Sequence, residues 1–345
     1  MGAPGTVSRN VLAAIWLLVG LALILTPVWL AWSSWSTLLR GHPSLPAVAL
    51  GSLIVGVVAV VWAIASLVLG RRYDAESRTR AGRRLTAGQL RRRAAWRITL
   101  AVPALLLSVL LIAALIWARP FPAGNASVVA MQTSTTVKIA DRLTWYEMVP
   151  QRRDRFNHVM KPTGGLIFVP GARVDPQAYA PLLRPLAEGG YLVVVLKEPF
   201  GLAIPTSGHA EGVLKLHPEV PYWAIGGHSL GGVAAAAFAD SHPVQISGLV
   251  LYASYPAQPL TRTELKVLSI SGSRDRLTTP ADIEASRARL PANSQFLVID
   301  GAVHSFFGDY GSMSGDGTPT VDRAKAQATI TRATGTFLAS LKPKR

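Results

Sequence analysis

The sequence predicts an α/β domain built on a mostly parallel sheet, preceded by three transmembrane helices. Three observations carry this expectation. Three long uncharged apolar runs fill the first third of the chain. From Gly165 onward, short apolar runs alternate with helical patterns, the rhythm of a parallel sheet with crossover helices. A stretch rich in Pro, Gly and Asn separates the two parts.

The apolar runs cover residues 11–32, 46–70 and 98–118. Each reaches the roughly 20 residues that a helix needs to cross a hydrocarbon core about 30 Å thick. The mean hydropathy of +0.31 agrees. Seven of the nine tryptophans (Trp16, Trp29, Trp32, Trp35, Trp62, Trp96 and Trp117) fall in this third, several at run ends, where amphipathic rings favour the headgroup layer. Core helices have no need of such length without charge. A cleaved signal peptide is the other reading of the first run, but the run exceeds the roughly 7–15 apolar residues of such a segment. It also lacks a clean small-residue cleavage site before Trp35.

The net charge of +16 is unevenly placed. Twelve Lys/Arg and two Asp/Glu precede Arg119, and ten of those twelve are arginines between Arg71 and Arg97. No nucleic-acid-binding motif or interleaved aromatics accompany them, so no nucleic-acid partner is expected. A loop held inside by its positive charge explains them. The N-terminus and loop 71–97 are then cytoplasmic, and everything after Ala118 is extracytoplasmic, on a multi-pass protein of the cell membrane. The absence of cysteine excludes disulfides, zinc–thiolate sites and a cysteine nucleophile.

The expected organisation is a membrane region over 1–118, a linker with the first strand over 119–135, and a catalytic domain over 136–341. Residues 135–139 and 144–149 carry β-branched, alternating patterns that suggest an antiparallel strand pair. Residues 166–169, 191–196, 223–226, 248–252, 267–271 and 295–299 read as further strands. Asp175-Pro176 supplies a cap and a first-turn proline for a helix reaching Glu188, and Thr279-Pro280-Ala281-Asp282 resembles a capping box.

The chemistry centres on Gly227-His228-Ser229-Leu230-Gly231. A Gly-x-Ser-x-Gly pattern alone is weak, but here an apolar strand precedes it and a small-residue helix, Val233–Asp240, follows. A sharp strand-to-helix turn strains the serine backbone and tolerates no bulk beside it, and Gly226, Gly227, Gly231 and Gly232 meet that demand. Serine needs a base, itself oriented by a carboxylate. In the chain order serine, acid, histidine, Asp275 follows the strand at 267–271 and His304 follows the strand at 295–299. Both loops open on the edge where α/β sheets bind ligands. Asp300 is the second choice for the acid. His228 is expected to pack into the fold, and His158, His209, His217 and His242 to be solvated. Asp309 and Asp316 are expected to be solvated loop acids, since their loop has no metal-ligand spacing. No metal and no cofactor are expected. Two backbone donors should hold an oxyanion: the N–H of Leu230 and that of Ala172, with Arg173 as runner-up. Arg173 is also a candidate for holding an acidic substrate.

Four segments carry a family resemblance: residues 169–176, 226–232, 271–275 and 301–311. With them, residues from about 165 to 340 resemble the α/β-hydrolase superfamily, in its fold-5 branch akin to dienelactone hydrolases. The resemblance implies an α/β-hydrolase fold, a Ser229–Asp275–His304 triad and an acyl-enzyme mechanism. The cysteine chemistry of dienelactone hydrolases does not carry over. About fifteen residues separate the strands at 248–252 and 267–271, too few for a helical lid, so an open pocket is expected. The expected activity is carboxylic-ester hydrolysis on a small-molecule or lipid-like ester by an integral membrane protein. The alternatives are acyl transfer through the same triad and a non-catalytic membrane scaffold. The oligomeric state is not legible in the sequence.

Overall fold

A computed structural model describes residues 4–79, 87–203 and 206–341. The chain divides into two compact units, residues 1–35 with 44–119, and residues 36–43 with 120–345.

The first unit is built from α1 (Pro4–Arg40) as far as Trp35, α2 (Ser44–Thr79) and α3 (Ala87–Trp117). Asn10–Arg40, Ser44–Leu69 and Thr99–Trp117 are long and apolar enough to cross a membrane. Their surfaces stay largely bare: Leu18, Trp32, Leu107 and many other large side chains are exposed. An apolar surface of that extent is what a lipid environment would cover. Small residues bring α1 and α2 together. A Cβ on Gly56 would lie 2.8 Å from the Gly20 carbonyl oxygen, and one on Gly20 would lie 2.9 Å from Val60. Ser52 donates to the Leu23 carbonyl at 3.0 Å, giving its hydroxyl a partner on the facing helix. Near its end α1 breaks at Ser34, whose φ of −148° is not helical. The cytoplasmic assignment of residues 71–97 rests on side chains that lie outside the described residues, save their backbone in α2 and α3.

The second unit holds one eight-stranded sheet: β1 (Val137–Asp141), β2 (Trp145–Pro150), β3 (Gly165–Val169), β4 (Leu192–Leu196), β5 (Trp223–His228), β6 (Ile246–Tyr252), β7 (Lys266–Gly272) and β8 (Gln295–Ile299). Their spatial order is β1-β2-β4-β3-β5-β6-β7-β8. The first two strands pair antiparallel with each other, and β2 pairs antiparallel with β4; all later pairings are parallel. The expected strands are all present.

Every residue of β3, β4 and β5 is buried, as a sheet covered on both faces requires. Alternate residues feed two cores. Leu166, Phe168, Val193 and Val195 face one side, and Ile167, Val169, Leu192 and Val194 face the other. The helices of this unit are α4 (Asn125–Ala130), α5 (Ala180–Glu188), α6 (Thr206–Leu216), α7 (Leu230–Ser241), α8 (Pro280–Ser286) and α9 (Arg323–Ser340). Asp175 caps the short 3-10 turn before α5 through the Gln177 N–H, and the Thr279–Asp282 capping box opens α8.

Three helices were not legible beforehand. Residues 119–127 read as linker, with strand patterns expected after them, yet Asp309 accepts from both the N–H and the hydroxyl of Ser127 and anchors residues 125–130 as α4. Neither α6 nor α9 shows an apolar stripe strong enough to be found by periodicity. Residues 253–265, between β6 and β7, contain no helix, as their length implied.

Candidate active site

The site arises where the strand order reverses. After β3 the chain steps out to β4 and returns past β3 to β5 on its other side, so β3 and β5 are neighbours whose following loops diverge. That divergence opens a crevice at the carboxyl edge of the sheet. Val169 and Gly227 are register partners, so loop 170–173 and the turn at Ser229 begin side by side.

Ser229 sits on the sharp turn between β5 and α7, with φ 52° and ψ −124°. A non-glycine residue held there is strained, and such strain persists only where its surroundings enforce it. Here the enforcement is close packing. A Cβ on Gly231 would collide with the carbonyl oxygens of Val169 and Pro170, and one on Gly227 would collide with the Gly231 backbone. The Ser229 N–H donates to the Tyr252 carbonyl at 3.0 Å, and the Ser254 hydroxyl donates to the Ser229 carbonyl at 2.6 Å. The serine is half-buried.

Asp275 follows β7 and His304 follows β8, adjacent parallel strands with Gly272 opposite Ile299. His304 Nδ1 lies 2.8 Å from Asp275 Oδ2, and both side chains are buried. Asp275 Oδ1 accepts the N–H groups of Leu277 and Thr278, each at 2.8 Å, which leaves Oδ2 for the imidazole. The His304 ring stands 4.6 Å from that of His228, the residue just before Ser229. The nucleophile candidate, the base candidate and its acid therefore meet at one edge.

Asp300, the second choice for the acid, is exposed and accepts from the Ser273 hydroxyl at 2.8 Å, so it takes no part in holding the imidazole. Asp309 and Asp316 are not the solvated acids expected from their loop. Asp309 anchors α4, and Asp316 accepts the N–H groups of His304, Ser305 and Gly317. A carboxylate folded back on its own loop leaves no sequence signal beyond its loop position.

Three of the four histidines expected in solvent are partly buried and partnered. His217 lies 3.3 Å from Glu147, His242 stacks on Phe238 at 3.8 Å, and His209 faces buried Glu198 at 3.4 Å. His158 is exposed as expected. Among the described residues, no three His, Asp or Glu side chains converge as a metal site.

Loop 170–173 separates the candidate oxyanion donors. The Gly171 N–H donates to the Tyr179 hydroxyl at 2.8 Å, and the Arg173 N–H donates to the Gly201 carbonyl at 2.8 Å. Both are thus committed within the fold, and the Ala172 N–H lies between them. Leu230 opens α7, so its N–H is a first-turn donor with no intrahelical acceptor. The Arg173 guanidinium stacks over Phe121 at 5.2 Å, and Arg173 has φ 59°.

His228, expected to pack inward, is fully buried. Burial drives its pKa well below the ordinary histidine value; the charge of the nearby His304 side chain adds to this, and the His304 backbone opposes it. Its Nδ1 lies 2.9 Å from the Tyr179 hydroxyl, a contact the sequence does not announce because Tyr179 is 49 residues away.

Residues 165–328 match the family model described as the alpha/beta hydrolase family. No curated protein matches the chain. Among solved structures it is similar to a predicted CIB-like hydrolase from Thermoplasma acidophilum, with 18% identity and a TM-score of 0.42 over 59% of this chain and 98% of that one. It is also similar to a dienelactone hydrolase-like promiscuous phosphotriesterase from metagenomic libraries, with 19% identity and a TM-score of 0.40 over 59% of this chain and 96% of that one. With its sheet order, its serine turn and the family match over residues 165–328, the second unit has an α/β-hydrolase fold, in a chain that carries three long apolar helices ahead of it.

Proposed function

We propose that this protein is a membrane-anchored serine hydrolase that cleaves carboxylic esters through an acyl-enzyme on Ser229. The observation that carries the reading is the buried 2.8 Å pair of His304 and Asp275, opening on the same sheet edge as the strained turn at Ser229.

In this mechanism His304 Nε2 takes the Ser229 proton while Oγ bonds to the ester carbonyl carbon. The N–H groups of Leu230 and Ala172 hold the resulting oxyanion. That assignment is favoured because both neighbours of Ala172 in the loop already donate elsewhere, Arg173 included. The tetrahedral species collapses, the bond to the alcohol oxygen breaks, and His304 returns its proton to the departing alcohol. A water then loses a proton to His304, attacks the acyl carbon and releases the acid from Ser229. Asp275 holds the imidazole with Nδ1 protonated and stabilises its charge. Arg173, whose guanidinium packs over Phe121, is the candidate for holding an acidic group on the substrate.

The substrate is a small-molecule or lipid-like ester. The three apolar helices hold the domain at the membrane, and the arginine-rich loop 71–97 assigns that loop to the cytoplasm and the hydrolase domain to the opposite side. The test is labelling of the full-length protein in detergent with a serine-directed fluorophosphonate, together with a screen of ester chain lengths. The wild type should label and the Ser229→Ala protein should not. Labelling that survives the substitution removes Ser229 as nucleophile, and product analysis with an acceptor alcohol separates hydrolysis from acyl transfer.

A further inference from the structure

Loop 170–173 is tied to the serine turn by a bridge of two buried hydrogen bonds. A backbone N–H can only donate, so the Tyr179 oxygen must accept from Gly171, at 2.8 Å. Among the described residues His228 Nδ1, 2.9 Å away, is the one acceptor in reach of the phenolic proton, which we therefore assign to it. In this assignment His228 Nδ1 accepts, and the ring carries its own proton on Nε2, which is buried with no hydrogen-bond partner among the described residues. All three groups are buried, so water does not offer an alternative partner. The geometry leaves no slack: a Cβ on Gly171 would lie 2.6 Å from His228 Nδ1. Phe307 stacks on the His228 ring with planes 15° apart, and Tyr310 stands at 6.1 Å.

Building on the proposed oxyanion site, we infer that Tyr179 and His228 are positioning residues that set the gap between its two donors. One donor, the Ala172 N–H, follows Gly171 directly, and the other, the Leu230 N–H, lies two residues beyond His228. The bridge from Gly171 through Tyr179 to His228 joins their supports across the crevice. It also explains why the histidine within the motif is buried. A neutral ring there holds Tyr179 without adding charge 4.6 Å from His304, which must itself become positive during turnover.

The test compares full-length variants in detergent. Tyr179→Phe keeps the ring and removes the bridge. It should lower kcat about 10- to 100-fold with KM within threefold, because a displaced oxyanion donor weakens the transition state and spares substrate binding. Binding of a boronic acid that mimics the tetrahedral species should weaken by the same factor. His228→Asn offers an acceptor near the position of Nδ1 and should stay within about fivefold of wild type, whereas His228→Leu should match Tyr179→Phe. The Tyr179→Phe/His228→Leu double variant should be no worse than either single one, since both remove the same bridge.

Additive losses, losses shared equally by KM, or a Tyr179→Phe enzyme within twofold of wild type would each overturn the inference. Ring-labelled ¹⁵N-histidine spectra provide a readout that needs no substrate. They should show His228 protonated on Nε2 only, and a proton on Nδ1 would refute the bridge. If the wild type neither labels with fluorophosphonate nor hydrolyses esters, the proposed function falls, while the histidine spectra still decide the bridge.

Discussion

The Thr37 hydroxyl donates to Asp175 Oδ2 at 2.6 Å, joining two residues 138 positions apart. Thr37 belongs to the short segment 36–43 that packs with the hydrolase domain, and Asp175 stands two residues after Arg173. The Asp175 N–H donates to the Phe121 carbonyl, and the Phe121 N–H donates to the Arg173 carbonyl at 2.7 Å. Within the second unit, Thr37 of segment 36–43 and Phe121 thus brace the loop that carries the candidate oxyanion donor.

Burial pushes the Asp175 carboxyl up from its ordinary range, and the Thr37 hydroxyl and Gln177 N–H oppose the shift. A group whose pKa rises on folding contributes fully below its unfolded pKa, and that contribution is lost as pH rises through the folded value. Thr37→Val should therefore destabilise the protein by about 1–3 kcal/mol near neutrality, with a smaller loss near pH 3. Asp175→Asn should gain on the wild type between about pH 4 and pH 7, because it has no charge to bury. Thermal denaturation in detergent across that range checks both. A pH-independent difference would remove the buried carboxylate as the cause.

Glu147 and His217 should support stability in a bounded pH window. Burial works against the Glu147 charge, yet hydrogen bonds from His217, Arg142 and Trp145 hold its pKa at about 2. The hydrogen bond to Glu147 raises the His217 pKa despite burial. Glu147 contributes above its unfolded value of 4.5 and loses that contribution as pH falls toward 2. His217 contributes below its unfolded value of 6.5 and loses that contribution as pH rises through its raised value. His217→Gln should therefore cost most between pH 4.5 and 6.5, about 1 kcal/mol after allowing for solvent screening at a half-buried histidine. Denaturant unfolding at pH 3, 5.5 and 9 tests this, and a loss undiminished at pH 9 would count against it.

Asp275→Asn should lower kcat for ester hydrolysis by roughly 10³- to 10⁴-fold while leaving the fold in place. The amide can still accept from Leu277 and Thr278, but its NH₂ group faces the imidazole where Oδ2 stood and favours the wrong tautomer. Steady-state kinetics paired with thermal denaturation separates this from unfolding. An Asp300→Asn protein should stay within about threefold of wild type, since Asp300 only accepts from Ser273 at the surface.

Gly231→Ala should disrupt the serine turn, since its methyl would overlap two backbone carbonyls that cannot rotate away. A loss of about 3 kcal/mol or more is expected, with fluorophosphonate labelling lost in whatever protein folds. Retained stability and labelling would show that the turn relaxes.

A reporter fused after Arg345 should be active only in its extracytoplasmic form, and one inserted in loop 71–97 only in its cytoplasmic form. The reverse pattern would overturn the orientation assigned from the arginines.

Much of this protein is written locally in its sequence. Strands such as Leu192–Leu196 are apolar runs bounded by turn-formers, and a fully buried strand needs little more. The turn at Ser229 is legible because its close approaches can be met only by glycine and alanine, which must therefore stand beside the serine. The three long apolar helices are legible because length and apolarity without charge are visible in the sequence itself. What escaped depends on distant partners. Helix α4 forms because Asp309, 182 positions from Ser127, accepts from it. Asp316 and His217 looked like solvent-facing residues until folding supplied their partners.

The sequence by itself determined the sheet, the serine turn and the order serine, acid, histidine, since each is a local pattern of size, polarity and backbone freedom. Only the tertiary structure decided which N–H groups loop 170–173 leaves open, and why His228 is buried beside the serine. Hydrogen bonds are pairwise and directional, and the pairs at Gly171–Tyr179, Tyr179–His228 and Thr37–Asp175 exist only once strands and loops far apart in the chain have been brought together.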